Sequence, residues 1–222
     1  MVRRGSSALR QLGWLLPVVL VAALVRPGAT VAEDAADADA QAQARLLRGR
    51  ALVIEHGCGD CHGGGDNPAA PGWLQGMRDT ILQQFTLPTP MGTFKTRPRN
   101  LTPDNTTGLG RFSERQIFNA IRFGLRPGET PDVDITSATP GQGNFPRQPK
   151  FLAPPMPWPA FRHMVDQDIR DIVFYLKNGL KPVSHLVPDS EGPPDFWAGL
   201  YAQFIGPYPP AAFPSANEKP PQ

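Results

Sequence analysis

Two cysteines with a two-residue gap, the second followed directly by a histidine, stand at Cys58-Gly59-Asp60-Cys61-His62. That pattern is the attachment signature of a c-type haem. Each thiol can add across one haem vinyl group and become a thioether, and the gap matches the separation of the two vinyls. His62 is then held beneath the iron, where a ring nitrogen can bind as the proximal ligand. Cys58 and Cys61 are the only cysteines of the chain. A structural zinc site would need a second ligand pair, which is absent from the sequence. A redox Cys-x-x-Cys would need a βαβ pattern around it, and none is found. A plain disulfide would leave His62 without a reason.

The opposite face of such an iron needs its own ligand. The candidates are His56, His163, His185, Met77, Met91, Met156 and Met164. His56 is too close to the motif to reach the far side. Met164 falls near the start of a helix and is expected to pack in the core, and Met77 falls on an apolar face, the commoner fate of a lone methionine. Met156 is the first choice. Pro154, Pro155 and Pro157 restrict its backbone, and it immediately precedes the last core helix. Met91, in a Gly/Pro loop, is its nearest rival. A thioether is soft and favours ferrous iron, so His/Met ligation raises the potential relative to His/His.

The remaining chain must position these groups outside the cytoplasm. Residues 1–32 read as an export signal: Arg3, Arg4 and Arg10 precede a 14-residue apolar run, Leu12 to Val25, with small Thr30 and Ala32 before a cleavage point. The run is short for a membrane span, so membrane association is expected only if the segment stays uncleaved. The signal carries four arginines and no acid, so the remaining 190 residues hold 18 basic and 20 acidic side chains, a net charge of −2. That charge excludes a general nucleic-acid binder. Proline is abundant, 27 of 222 residues, well above the usual share of about 5%; it predicts few helices and long ordered loops.

Residues 33–41 read as a flexible leader. A first helix is predicted from about Gln41 to His56, with Leu46, Leu47, Val53 and Ile54 inward and Gly49 available for close approach of another helix. Trp73 to Phe85 reads as a short helix, and Leu87 to Arg99 as extended because Pro88, Pro90 and Pro98 oppose helix. Ser113 with Gln116 forms a capping box, Ile117, Phe118 and Ile121 give the buried face, and Gly124 is the terminator. Leu125 to Pro149 holds eight Gly/Pro residues and no period, which predicts a surface loop. The last core helix opens at Asp166, with Ile169, Ile172, Val173 and Leu176 at i, i+3, i+4, i+7 and a stop at Gly179. From Pro182 the chain reads as tail, with a short aromatic helix over Phe196–Ile205 and disorder from Pro207.

In order, these features are a glycine-bearing helix, Cys58-x-x-Cys61-His62, Thr89-Pro90-Met91-Gly92-Thr93, Asn100-Leu101-Thr102-Pro103-Asp104 with Thr107-Gly108-Leu109-Gly110, Pro155-Met156-Pro157, and a helix bearing Tyr175-Leu176. The series resembles the class I cytochrome c domains found in electron-accepting subunits of periplasmic alcohol, aldehyde and sugar-acid dehydrogenases. Those subunits often carry three such domains; this chain resembles one repeat. The resemblance implies a mainly α, class I cytochrome c fold over residues 42–182, with few helices around one covalent haem c and long Pro/Gly-rich loops, followed by a Pro-rich extension over 183–222. It implies Met156 as distal ligand and a crossing of the first and last helices, with Gly49 near Phe174 or Tyr175. It also implies a periplasmic carrier of single electrons, from a dehydrogenase to a terminal oxidase or another cytochrome. The alternative is a haem enzyme, a peroxidase or sulfur-compound oxidoreductase, with a displaceable distal ligand. The apolar surroundings of Met156 favour the carrier, because an enzyme needs an acid or base on that side. Finally, Lys95, Arg97, Arg99, Arg111, Arg115, Arg122 and Arg126 make a basic stretch that the resemblance places beside the haem. It would neutralise the haem propionates or, in the sharper reading, steer an acidic partner.

Overall fold

A computed structural model describes residues 31–77, 86–89, 92–192, 195–199, 201, 205, 208–210 and 212–220. The segment read as an export signal, apart from its last two residues, and Met91 lie outside them. The chain divides into two units, residues 1–37 and 38–222, and the haem motif lies in the second. Five helices are described: α1 (Val31–Glu55), α2 (Cys58–His62), α3 (Glu114–Phe123), α4 (Trp158–Phe161) and α5 (Asp166–Asn178). One antiparallel hairpin pairs β1 (Thr86–Thr89) with β2 (Gly92–Lys95), Thr86 opposite Lys95. Among the described residues no helix is long and apolar enough to cross a membrane.

Residue α1 Val31 begins the first helix about ten positions before the expected start at Gln41. The Ala-rich run read as a flexible leader is helical, because alanine is also the best helix former and Glu33 and Asp34 sit favourably in the first turn. Gly57, in the left-handed region at φ 62°, ends the helix and turns the chain into the haem motif.

The core joins Leu52 and Val53 of α1, Ile117 and Ile121 of α3, and Ile169, Ile172, Val173 and Leu176 of α5. At Gly49 a Cβ would overlap the Asp171 carbonyl oxygen and lie 2.7 Å from Tyr175 Cβ, so α1 crosses α5 backbone to backbone. Arg45–Asp171 at 2.9 Å and Arg48–Asp168 at 3.1 Å edge this crossing. Pairs with so exposed a partner contribute about 0–1 kcal/mol each. A fully buried Val or Ile contributes about 1.5–3 kcal/mol, so apolar packing holds the crossing. The predicted capping box is present on α3: Ser113 Oγ accepts from Gln116 N at 3.1 Å, and Gln116 Oε1 accepts from Ser113 N at 3.1 Å. Gly124 closes the helix in the left-handed region.

Three expectations are corrected. Trp73 to Met77 is irregular, not helical. Leu74 has φ 59°, and the stretch is fixed by backbone bonds, Leu74 N to Gly63 O and Gly76 N to His62 O; residues 78–85 are outside the described set. Leu125 to Pro149 is more than a surface loop, since Leu125 and Phe145 are buried with Phe123 in a second small core. The stretch after Pro182 docks on the domain: Val187 and Trp197 are buried, and Tyr208 packs edge-on to Phe123. Prolines remove regular periodicity there but leave apolar anchors intact.

Candidate haem site

Cys58, Cys61 and His62 share the single helical turn α2. Gly59 allows that turn to lie flat on the following loop, because a Cβ there would overlap Gly65 O and the Trp73 ring. Both cysteines are free of a disulfide. Burial pushes the Cys58 thiol up to about 12, and burial raises Cys61 as well, so both sulfurs are protonated at neutral pH. His62 is buried, and its Nδ1 lies 2.7 Å from the Arg99 carbonyl oxygen. A carbonyl can only accept, so Nδ1 carries the proton and donates, and Nε2 keeps its lone pair. Burial lowers the His62 pKa and outweighs the opposing bond to Arg99, which keeps the ring neutral. Two free thiols that can add to vinyl groups, and an imidazole whose Nδ1 is anchored to a carbonyl so that Nε2 is left as the iron donor, fit the attachment of a c-type haem. Among the described residues no three His, Cys, Asp or Glu side chains gather as a separate metal site.

Nothing in the sequence marks Arg99 as the support of His62. Its contribution is a backbone carbonyl, which has no residue-type signal. The neighbouring motif is legible once its bonds are seen. Asn100 is buried; its Oδ1 accepts from Thr102 N at 2.9 Å and Thr102 Oγ1 at 2.8 Å, and its Nδ2 donates to Val183 O at 2.8 Å. Asp104 Oδ1 accepts from Thr107 N at 2.6 Å and Thr107 Oγ1 at 2.8 Å, and these bonds hold its carboxyl below the usual range. Lys177 of α5 donates to the Gly110 and Phe112 carbonyls at 3.0 and 2.8 Å.

Met156 is half-buried at the end of a turn in which its N donates to Ala153 O at 3.2 Å. The helix α4 that follows packs Trp158 on Gly124, where a Cβ would overlap the indole. Phe161 of α4 faces the His56 ring at 5.4 Å. The segment after Met156 is thereby drawn to the residue two before Cys58. Met164 packs on the main core, and Met77 is half-buried with its N bonded to Pro98 O at 3.1 Å. His163 is exposed, its ring 5.8 Å from Tyr208. His185 is half-buried, with its N bonded to Thr107 Oγ1 at 3.0 Å.

The basic stretch is balanced within the chain rather than presented as a free patch. Arg97 pairs with Glu191 at 2.6 Å, Arg99 with Asp189 at 2.8 Å, and Arg115 with Asp132 and Asp134 at 3.1 Å each. Arg126 pairs with Glu129 and Asp195, and Arg122, its side chain only 5% exposed, pairs with Asp166. Arg111 lies over the Phe112 ring at 4.8 Å. The acids that meet Arg97 and Arg99, and the second acid that meets Arg126, come from residues 189–195, far along the sequence.

No protein-family model matches the chain. Over 189 residues it is 29% identical to the gluconate 2-dehydrogenase cytochrome c subunit of Pantoea cypripedii, covering 80% of this chain and 35% of that protein. Over 148 residues it is 27% identical to the fructose dehydrogenase cytochrome subunit of Gluconobacter japonicus, 67% of this chain and 24% of the relative. The chain is similar to dehydrogenase cytochrome c subunits. The cytochrome c subunit of the quinone alcohol dehydrogenase of Gluconobacter oxydans is 25% identical over 183 residues, 82% of this chain and 30% of that one. The chain thus spans about a third or less of the length of these relatives.

Proposed function

We propose that this chain is an exported, periplasmic carrier of single electrons. It holds one haem c through Cys58 and Cys61, with His62 and Met156 as axial ligands. The carrying observation is the α2 turn, with both thiols free and His62 Nδ1 bonded to the Arg99 carbonyl at 2.7 Å. When bound, the haem would supply a one-electron couple at its iron. The protein's part is to attach and orient it. The two cysteines would fix the ring covalently, and the bond from Nδ1 to Arg99 O leaves Nε2 as the free donor nitrogen. Buried Trp73 and Leu74 back the loop that follows α2, and the thioether of Met156 would supply a soft donor that favours the reduced state.

Similarity to dehydrogenase subunits supports a dehydrogenase as the electron donor, with a terminal oxidase or another cytochrome as acceptor. The domain proposed to do this covers residues 42–182, with residues 1–32 as its export signal and 183–222 as an extension that packs on it. Met156→Ala tests the ligation. The haem is expected to stay attached, the far-red sulfur-to-iron band of the ferric protein to vanish, and the potential to fall. If Met91→Ala has these effects and Met156→Ala does not, Met91 is the ligand.

A further inference from the structure

We propose that the segment Val183–Glu191 is a positioning strap for His62, holding the carbonyl that sets the donor strength of the proximal nitrogen. The inference rests on the haem reading above. The Arg99 carbonyl belongs to a run that leaves β2 at Lys95, and residues 96–102 lie in no strand among the described residues. Its inner side is bonded to the loop after the haem motif, through Met77 N to Pro98 O at 3.1 Å and Leu101 N to Leu74 O at 2.8 Å. Its outer side is covered by Val183–Glu191, running antiparallel.

The contacts fall in order along both segments. Val183 bonds Asn100 and Thr102, with Asn100 Nδ2 to Val183 O at 2.8 Å and Val183 N to Thr102 Oγ1 at 3.1 Å. Arg99 donates to Val187 O at 2.8 Å and Pro188 O at 3.0 Å, and pairs with Asp189. Glu191 and Lys95 exchange two backbone bonds of 2.8 Å each. Val187 is 4% exposed and seals the stack: a Cβ on Gly76 would lie 2.6 Å from Val187 Cγ2 and 2.7 Å from Asn100 N. Gly76 N in turn bonds His62 O at 2.8 Å. The strap therefore presses on both the main chain of His62 and the acceptor of its ring.

The chemical consequence has a sign. A firm Nδ1–H···O=C bond gives the imidazole partial anionic character and strengthens Nε2 as a donor, which favours ferric iron. A loosened strap lets the carbonyl drift, weakens that donor, raises the potential and exposes the Nδ1 proton.

Val187→Ala tests this without changing a charge. Haem staining and intact mass should match the parent. Exchange of the His62 Nδ1 proton, followed by NMR of the ferric protein, should speed up about tenfold as local opening becomes easier, and the midpoint potential should rise. An attached haem with unchanged exchange and unchanged potential overturns the strap. Absence of haem from the parent protein overturns the haem reading instead. If Val187→Ala fails to fold, Arg99→Lys replaces it: the Arg99 carbonyl and the positive charge stay, while the fork that donates to Val187 O and Pro188 O at 2.8 and 3.0 Å is lost. It should give the same direction of change, a faster exchange of the Nδ1 proton. Parent-like exchange in that variant also overturns the strap.

Discussion

The crossing of α1, α3 and α5 and the segment after Pro182 both pack tightly, yet they are built by different means. In the helices, one face repeats: Ile169, Ile172, Val173 and Leu176 all meet the same core. In the later segment nothing repeats. It is held at separate points by Val187 and Trp197, both buried, and by side-chain bonds from Asn100 to Val183, from Arg99 to Val187 and from Arg97 to Asp189. A periodic face tolerates the loss of one contact among many similar ones. A point-anchored segment concentrates its stability in a few residues, so its largest anchor should matter more than any one helical detail.

The strongest test of that contrast is Trp197→Ala. The indole is 2% exposed, lies 4.9 Å from the Phe94 ring, and donates to Phe151 O at 3.2 Å. Its removal is expected to cost about 3–5 kcal/mol, read as a fall in denaturation midpoint. A cost under about 1 kcal/mol, the range of ordinary surface changes, would mean the segment is a loose appendage and the comparison fails.

Gly49→Ala probes the helical side. The new methyl must overlap the Asp171 carbonyl, a backbone atom that cannot swing aside. Overpacking costs about 1–3 kcal/mol, while alanine recovers about 1 kcal/mol of helix propensity. A net loss of about 1 kcal/mol is expected in chemical denaturation. A stabilised variant would show that α1 and α5 do not meet at Gly49.

The smallest effect is assigned to Ser113→Ala, which removes the acceptor for Gln116 N. A lost cap costs about 1 kcal/mol. The same substitution should leave the His62 ring proton as protected as in the parent, because Ser113 touches neither residues 95–102 nor the strap by any described bond. Faster exchange in that variant would spread the control of His62 over the whole domain and blur the contrast.

What could be read from the sequence follows the same division. The haem motif is legible because covalent chemistry fixes residue type and spacing. The capping box of Ser113 and Gln116, the stop at Gly124 and the face of α5 are legible because they are local or periodic. Gly49 was anticipated through the family resemblance, and the close approach to Tyr175 is present. The start of α1 was misjudged because an Ala/Asp run satisfies both leader and helix compositions. Trp73 to Met77 reads wrongly because Trp73, Met77, Ile81 and Leu82 imitate a helical face across Trp73 to Phe85, while residues 73–77 are fixed by backbone bonds to Gly63 and His62. The basic stretch looked unpaired because Asp189, Glu191 and Asp195 lie some seventy to ninety residues away. Arg99, the support of His62, left no trace at all, since any residue has a carbonyl.

The most direct measurement is the intact mass of the protein, made in cells that attach haem, alongside haem staining after denaturing electrophoresis. The account predicts a parent protein heavier than its polypeptide by one haem and staining under denaturing conditions. It also predicts that Cys58→Ala and Cys61→Ala lose the two-thioether form. A parent protein with the bare polypeptide mass and no stain would contradict it.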